Sequence, residues 1–125
     1  MPVTISLPLP DRCLSPNART HWATKARATK RLRSLARDAA SLAIGATGDA
    51  LPFATARVRV VYRVRDRRRR DRDNMLAALK AAFDGIADAG VVVDDASLVY
   101  LPVEVEVCKD GEHGVTIEIE DEGRR

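Results

Sequence analysis

The stretch DRRRRDRDNMLAALKAAFDGIADAGVVVDD, residues 66–95, does most to decide the fold and the chemistry of this chain. It opens with four consecutive arginines: Arg67, Arg68, Arg69 and Arg70. Asp71 and Asp73 follow at once, a helical pattern comes next, and the adjacent pair Asp94 and Asp95 ends the stretch. Arginine guanidinium groups match phosphate oxygens, and clustered carboxylates supply the oxygen ligands that Mg²⁺ and Mn²⁺ prefer. The combination predicts a site that binds a polyanion and brings a metal ion to it.

The helical pattern inside this stretch predicts one helix over residues 73–89. Its predicted core face consists of Met75, Leu79, Ala82, Phe83 and Ile86. Gly90 suits the position just beyond the helix, and Asp71 or Asp73 suits the N-cap. Seven residues are close to two helical turns, so Lys80 shares a face with Asp73 in a continuous helix. Because helical side chains lean toward the N-terminus, Lys80 is predicted to reach back toward the carboxylates.

The first 21 residues predict a strand and a loop. Val3, Ile5 and Leu7 alternate with polar residues, and prolines end the strand. The loop over residues 11–21 carries three polar side chains: Asn17, Arg19 and His21. These side chains either form turns beside a helix N-cap at Thr20 or contact a nucleic-acid backbone, and the sequence leaves both interpretations open.

A long amphipathic helix is predicted over residues 22–46. The residues predicted to form its buried face are Leu32, Leu35, Ala36, Ala39, Leu42 and Ala43. Its basic side chains fall largely on the other faces, where they are either solvated or part of a positive surface.

A strand with two different faces is predicted over residues 55–65. Its buried face consists of Val58, Val60, Tyr62 and Val64. Its other face carries Arg57, Arg59, Arg63 and Arg65. We expect arginines this close to repel one another, and a bound anionic ligand to relieve the repulsion.

The C-terminal part of the chain predicts two more strands. Residues 99–107 and 115–119 alternate in polarity, and the KDGEHG segment between them contains an Asp-Gly turn signal. This pattern predicts an antiparallel hairpin with an acidic outer face. The predicted fold class is therefore α+β, with a mixed sheet of about four strands packed against two helices. We expect one domain over residues 1–125, with a frayed tail at residues 121–125.

The net charge of +3 conceals an asymmetry between the two parts of the chain. Residues 1–75 contain 17 Lys and Arg against 6 Asp and Glu, whereas residues 76–125 contain 4 against 12. This asymmetry predicts a face that binds polyanions, and the alternative is a polarised surface that is only solvated.

Neither a disulfide framework nor a membrane span is indicated. Cys13 and Cys108 are the two cysteines, and with His21 and His113 they are candidates for a Zn²⁺ site that their spacing supports poorly. The sequence lacks an apolar run near the ~18 residues of a membrane span, and it lacks a signal-peptide pattern. We therefore expect a cytoplasmic protein without membrane contact.

The run DRRRRDRDN, the segment KAAFDGIADAG and the ending DDASLV together resemble RusA-type crossover junction endodeoxyribonucleases. The resemblance is dense over residues 66–99 and looser over the first strand and the C-terminal strands. It implies a homodimeric nuclease that depends on Mg²⁺, with Mn²⁺ able to substitute. It also implies a substrate, the four-way DNA branch called a Holliday junction, which such enzymes resolve by paired nicks in opposed strands.

The resemblance also assigns residues. The three essential carboxylates of the family fall on Asp71, Asp73 and Asp95, as catalytic and metal-binding residues, and its functional lysine falls on Lys80. This chain departs from the family pattern in placing Lys80 six residues after Asn74, where the family has three. The predicted DNA-binding residues are Arg67, Arg68, Arg69, Arg70, Asn17 and Arg19.

Two other classes of function stay open at this point. A DNA- or RNA-binding module without catalysis would use the arginines but would give the aspartates no role. A metal-dependent nuclease could instead act on flaps or replication forks. Dependence of cleavage on a divalent metal distinguishes the first class, and competition between a junction and a linear duplex distinguishes the second.

Overall fold

The computed structural model describes residues 2–45, 51–93 and 95–122, without the side chain of Asp95. Its strands are β1 (Val3–Leu7), β2 (Ala56–Val64), β3 (Leu98–Tyr100), β4 (Glu104–Val107) and β5 (Gly114–Asp121). Its α-helices are α1 (Trp22–Ile44), α2 (Arg72–Ala77) and α3 (Lys80–Asp88), and 3₁₀ turns lie at Arg12–Leu14 and Asp95–Ser97. The predicted α+β class is confirmed in a single domain, with five strands in the sheet and the second predicted helix divided in two. None of the helices described here has the length and apolar character that crossing a membrane requires.

β2 forms the centre of a mixed sheet. β5 pairs antiparallel with β2 over eight residue pairs, and β1 pairs antiparallel with the far side of β5. β3 and β4 follow one another along the opposite side of β2, and both run parallel to it. The sheet order is therefore β1-β5-β2, with β3 and β4 sharing the outer position.

The predicted C-terminal hairpin is wrong, because β2 lies between β4 and β5. The register of β5 on β2 places Glu118 opposite Arg59 and Glu120 opposite Arg57. Opposite charges across a strand pair are stabilising, whereas the two acidic strands of the predicted hairpin would repel each other. The KDGEHG segment thus connects strands on either side of β2. Residues 99–107 also form parts of two short strands, with Pro102 in the gap between them.

The buried face of α1 differs from the predicted one. Its fully buried residues are Ala28, Leu32, Ala36 and Ala40, whereas Ala39 and Ala43 are only partly buried. Leu35 is 42% exposed and Leu42 is 83% exposed, so both predictions are wrong. The cause is the close approach of α3: a Cβ at Gly85 would collide with the carbonyl oxygen of Arg33 on α1. Small side chains are needed where two helices lie this close, and the large leucines fall outside the contact.

The core face predicted for the second helix is confirmed, because all five of its residues are buried. Gly90 follows α3 with a φ of 90°, a conformation that favours glycine at this position. Between α2 and α3 the helix is interrupted. The Tyr62 hydroxyl donates to the Met75 carbonyl oxygen at 2.6 Å, where a continuous helix would have the backbone N–H of Leu79. That N–H donates to the Leu76 carbonyl oxygen at 3.0 Å. Burial raises the pKa of Tyr62, so the hydroxyl keeps the proton that it donates.

Candidate functional site

The arginine run borders an open cleft beside the start of α2. The cleft has a volume of about 730 Å³, and residues of the first loop, of β2 and of α2 form its walls and floor. Five arginines line it: Arg12, Arg65, Arg68, Arg69 and Arg70. Three aspartates also line it: Asp11, Asp66 and Asp71. The excess of cations makes the cleft complementary to a polyanion. We call it the arginine cleft.

Hydrogen bonds within the loop hold the arginine run in shape. Arg70 donates from Nη1 to the carbonyl oxygens of Asp66 (3.0 Å) and Arg68 (2.8 Å), and from Nη2 to the Asp66 carboxylate at 2.9 Å. The Asp66 carboxylate also accepts the backbone N–H of Arg68 at 3.0 Å, and this bond, with that from Arg70, lowers the pKa of Asp66. Arg70 therefore braces the loop. The guanidinium groups of Arg68 and Arg69 donate to no other described residue, which leaves them available to phosphates.

Asp71 is the N-cap of α2, which selects one of the two aspartates that the sequence offers for this position. Its Oδ1 accepts the backbone N–H groups of Asp73 at 2.9 Å and Asn74 at 3.2 Å, which the first turn of a helix leaves without partners. Both aspartates are exposed. Within the described residues, Oδ2 of Asp71 and the whole carboxylate of Asp73 accept no hydrogen bond. These three oxygens are hard donors of the kind that Mg²⁺ takes.

Asp73 faces a different side of α2 from Asp71. It borders a depression of about 360 Å³ that is also lined by Leu76, Ala77, Lys80, Phe83 and Tyr100. The prediction that Lys80 reaches this carboxylate along one continuous helix is wrong, because the helix is interrupted just before Lys80. The fold nevertheless places both residues at one depression. There the Lys80 ammonium donates to Oδ1 of Asp84 at 3.0 Å.

The third predicted carboxylate, Asp95, begins the 3₁₀ turn Asp95–Ser97, which contacts α3. Its side chain lies outside the described part of the structure, as does all of Asp94. Among the residues whose side chains are described, no three His, Cys, Asp or Glu residues are grouped to hold a metal ion. A site formed by Asp71, Asp73 and Asp95 therefore stays a prediction.

The four candidate zinc ligands have other surroundings. His21, not Thr20 as predicted, is the N-cap of α1, and its Nδ1 accepts the backbone N–H of Ala23 at 3.2 Å. His113 Nε2 lies 2.7 Å from the carbonyl oxygen of Cys108. Cys13 is buried, and its pKa is raised by that burial.

Not every predicted DNA-binding residue reaches the arginine cleft. Asn17, Arg19 and Arg67 are exposed but lie outside its lining. Arg12 and Arg65 line the cleft and were not predicted as contacts. Arg65 was detectable as the last arginine of the alternating β2 pattern, directly before the arginine run, whereas nothing in the sequence distinguishes Arg12 from Arg19.

Two arginines of β2, Arg57 and Arg59, have carboxylate partners within the sheet. Arg59 donates from Nε and Nη2 to Glu104 at 2.6 and 3.1 Å, and from Nη1 to Glu118 at 3.2 Å. Arg57 lies 3.5 Å from Glu120. For Arg57 and Arg59 the expectation that a bound anion relieves repulsion is wrong, because neighbouring strands already supply the counter-charges. Arg63 donates to the hydroxyl of Thr116, and Arg65 lines the arginine cleft.

Comparison with known proteins gives one long match and several shorter ones, and no family model matches the chain. An uncharacterized protein of Xylella fastidiosa is 39% identical over 116 residues, which cover 91% of this chain and 74% of that protein. The two chains belong to one family. The crossover junction endodeoxyribonuclease RusA of Escherichia coli K12 is 44% identical over 62 residues, and that of Enterobacteria phage 82 is 42% identical over 62 residues. Each of these matches covers 49% of both chains, so it spans about half the length of the RusA relatives. The chain is therefore related to RusA nucleases across about half of its length.

Proposed function

We propose that the protein is a Mg²⁺-dependent endodeoxyribonuclease selective for branched DNA, which resolves Holliday junctions by paired nicks in opposed strands. The observation that carries this proposal is the arginine cleft, in which Asp71 and the available guanidinium groups of Arg68 and Arg69 line the same space. A site for a phosphodiester backbone thus adjoins an ionisable oxygen donor. The relationship to RusA over half the chain supports the same reading.

Asp71, Asp73 and Asp95 are the residues that would hold Mg²⁺, with Mn²⁺ as a substitute. One observation supports this role: three carboxylate oxygens of Asp71 and Asp73 are free of hydrogen bonds within the described part. When bound, the metal ion supplies an activated water and neutralises charge on the phosphodiester. The N-cap bonds fix the Asp71 carboxylate before substrate arrives, which avoids the entropic cost of ordering it later.

Basic side chains have the other two proposed roles, which are binding phosphates and stabilising the leaving oxygen. Arg68 and Arg69 bind the phosphates that flank the scissile one and so set the register of the strand. Lys80 lies at the depression that Asp73 borders, where an ammonium can offset negative charge that develops on the leaving oxygen. A four-way junction is close to two-fold symmetric, so a homodimer with two-fold symmetry would supply two such sites to opposed strands.

The experiment that tests this function compares DNA substrates and metals. Purified protein is incubated with a four-way junction, a flap, a fork and a linear duplex, each with Mg²⁺, with Mn²⁺ or with a chelator. We expect metal-dependent nicks at opposed positions in the junction, strong competition by unlabelled junction, and weak competition by duplex. Binding without cleavage under every condition would identify a non-catalytic module. Equal cleavage of flaps or forks would identify a nuclease of broader substrate range.

A further inference from the structure

Trp22 differs from the other aromatic residues of the chain. The chain has five: Trp22, Phe53, Tyr62, Phe83 and Tyr100. Phe53, Tyr62 and Phe83 are buried, and Tyr100 packs edge-on against Phe83 with ring centroids 5.1 Å apart. Trp22, at the start of α1, is 76% exposed. A large apolar ring left in water is unfavourable unless something else covers it.

The indole of Trp22 is held in place by its neighbour. Its ring stacks on the imidazole of His21, with centroids 5.6 Å apart and planes inclined by 30°. His21 is itself fixed by the N-cap bond to Ala23. One face of the indole is therefore supported while most of its surface remains open, which is the arrangement of a stacking platform.

A shallow groove of about 540 Å³ runs from Trp22 along the exposed side of α1. It is lined by Trp22, Lys25, Ala26, Thr29, Lys30 and Arg33. These residues recur at intervals of three and four, so they share one side of the helix over about 16 Å. Arg33 is occupied by a two-point ion pair with Asp88, at 2.6 and 2.9 Å. Lys25 and Lys30 form no ion pair with any described residue, so their charges remain available. None of the groove residues lines the arginine cleft.

The helix segment that forms this groove carries a large excess of positive charge, and Asp88 on α3 is paired with Arg33. Residues 22–37 contain six Lys and Arg and no Asp or Glu, and the first acidic residue of α1 is Asp38. A groove with such a charge repels basic partners and attracts a polyanion. Its apolar surface is essentially one indole, which is too little for a hydrophobic protein interface but sufficient to stack a single base.

We propose that this groove binds a DNA strand with unpaired bases, with one base stacked on Trp22 and the adjoining phosphates on Lys25 and Lys30. A base in a duplex hides its faces between its neighbours, so only an unpaired base can stack on the indole. This inference rests on the proposed function and extends it, because the strands at a branch point are where unpaired bases arise. It adds a second DNA-contact surface to the arginine cleft.

The single tryptophan of the chain makes a direct test available, since all tryptophan fluorescence comes from Trp22. The full chain is titrated, in chelator so that no cleavage occurs, with oligothymidylate and with blunt duplex of equal length. We expect the strand to quench the emission by at least about twofold and the duplex to quench it much less. Trp22→Ala should weaken oligothymidylate binding, measured by anisotropy of a labelled strand, by at least tenfold. Trp22→Phe should restore part of the affinity.

Two pairs of substitutions distinguish a specific contribution of the groove lysines to strand binding from the effect of the general positive charge of α1. Lys25→Ala with Lys30→Ala should weaken strand binding at least tenfold and reduce the slope of log affinity against log salt by about 1.4, since each phosphate on a single strand contributes about 0.7. Arg27→Ala with Arg31→Ala removes the same charge from exposed positions of the same helix outside the groove. This control pair should weaken binding less than threefold. Thermal melts confirm that all variants remain folded.

Three outcomes would overturn the proposal: no quenching by oligothymidylate, equal losses in the two pairs, or an emission that changes with protein concentration alone. The last outcome would mean that a second copy of the chain covers Trp22. Junction cleavage by the same preparation keeps the two proposals separate. Quenching without cleavage would contradict the proposed nuclease activity and leave the proposed groove supported. Cleavage without quenching would contradict only the proposal for the groove.

Discussion

Arg59 on β2 and Arg68 on the loop beside α2 belong to the same basic part of the chain, but their surroundings differ. Arg59 donates three hydrogen bonds to the carboxylates of Glu104 and Glu118, which lie on neighbouring strands. Arg68 lines an open cleft, and its guanidinium group contacts no carboxylate of the described chain. The first arginine is part of the sheet, and the second is available to a ligand.

This difference shows how the asymmetric charge of the sequence is distributed in space. The acidic strands β4 and β5 flank β2 on both sides and supply carboxylates to Arg57 and Arg59, whereas Arg63 donates to the hydroxyl of Thr116. Uncompensated positive charge therefore remains at the arginine cleft and on the first half of α1. The number of arginines in a segment thus says less about DNA binding than the strands that the fold places beside it.

The largest expected effect is on the cleavage rate and comes from the three proposed metal-binding carboxylates, of which Asp71 lines the arginine cleft. Asp71→Asn, Asp73→Asn and Asp95→Asn should each lower the cleavage rate at least about 1000-fold, or ~4 kcal/mol, because an amide is a poor ligand for Mg²⁺. Asparagine preserves the N-cap, so the fold should persist and junction binding in chelator should be unchanged or tighter. Glu104→Gln, in the sheet, is the matched control and should cleave normally. Cleavage near the normal rate by one aspartate variant would exclude that residue from the site.

The next effect is on DNA affinity and compares the two arginine groups directly. Arg68→Ala with Arg69→Ala should weaken binding to every DNA structure by at least about tenfold, and each lost phosphate contact should reduce the salt slope by about 0.9. Arg57→Ala with Arg59→Ala removes the same formal charge from the sheet and should leave the slope nearly unchanged. Gel shifts over a salt series measure both. Equal slopes for the two double variants would contradict the assignment of the arginine cleft.

A smaller effect is expected at Lys80, which lies outside both arginine groups. Lys80→Met keeps the aliphatic stem and removes the charge, and it should lower the cleavage rate about tenfold, or ~1.4 kcal/mol. Thermal stability and the metal requirement should barely change. Asp84→Asn removes the carboxylate that holds the ammonium and should keep cleavage at or above the normal rate. Full activity of Lys80→Met would mean that Lys80 is an exposed surface residue without a role in cleavage.

The smallest effect concerns stability and pH. The hydrogen bonds from Arg59 lower the pKa of Glu104, so this pair stabilises the fold above the unfolded-state pKa of about 4.3 and loses that contribution as the pH falls through the lower folded value. Arg59→Met should reduce Tm by no more than about 3 °C at pH 7, since exposed ion pairs contribute little. The difference from the unchanged protein should shrink as the pH falls through the lowered pKa of Glu104. Arg69→Met, in the cleft, should not lower Tm, and a difference that persists in acid would contradict the role of the pair.

Local sequence patterns were sufficient to predict much of the fold. The alternation in β1 and β2, the capping aspartate of α2 and the glycine after α3 were all predicted, because each depends on the chemistry of a few adjacent residues. The core face of the second helix was predicted for the same reason. The rest of the chain is still needed to stabilise these features, but it does not change which residues take part in them.

Features that depend on distant partners were not predictable. The Asp-Gly signal suggested a hairpin, but the pairing of Glu118 with Arg59 joins residues 59 positions apart. Leu35 and Leu42 fit a helical stripe, yet the close approach of Gly85 selects alanines for the contact. In the site, the sequence did not show that Asp71 lines the arginine cleft while Asp73 borders a different depression with Lys80; their joint role at a metal stays a prediction.

The interruption between α2 and α3 has a consequence for how related chains can vary in length. In a continuous helix, three added residues would turn everything that follows by about 60° and move it about 4.5 Å. An interrupted helix need not transmit either change, and we expect α3 to keep Phe83 and Ile86 in the core when a few residues are added ahead of it. We expect the interruption to accommodate the six-residue spacing from Asn74 to Lys80, against the three that the family resemblance implies. Insertions and deletions among relatives should therefore accumulate here, where the Tyr62 hydroxyl already takes the place of a helical hydrogen bond.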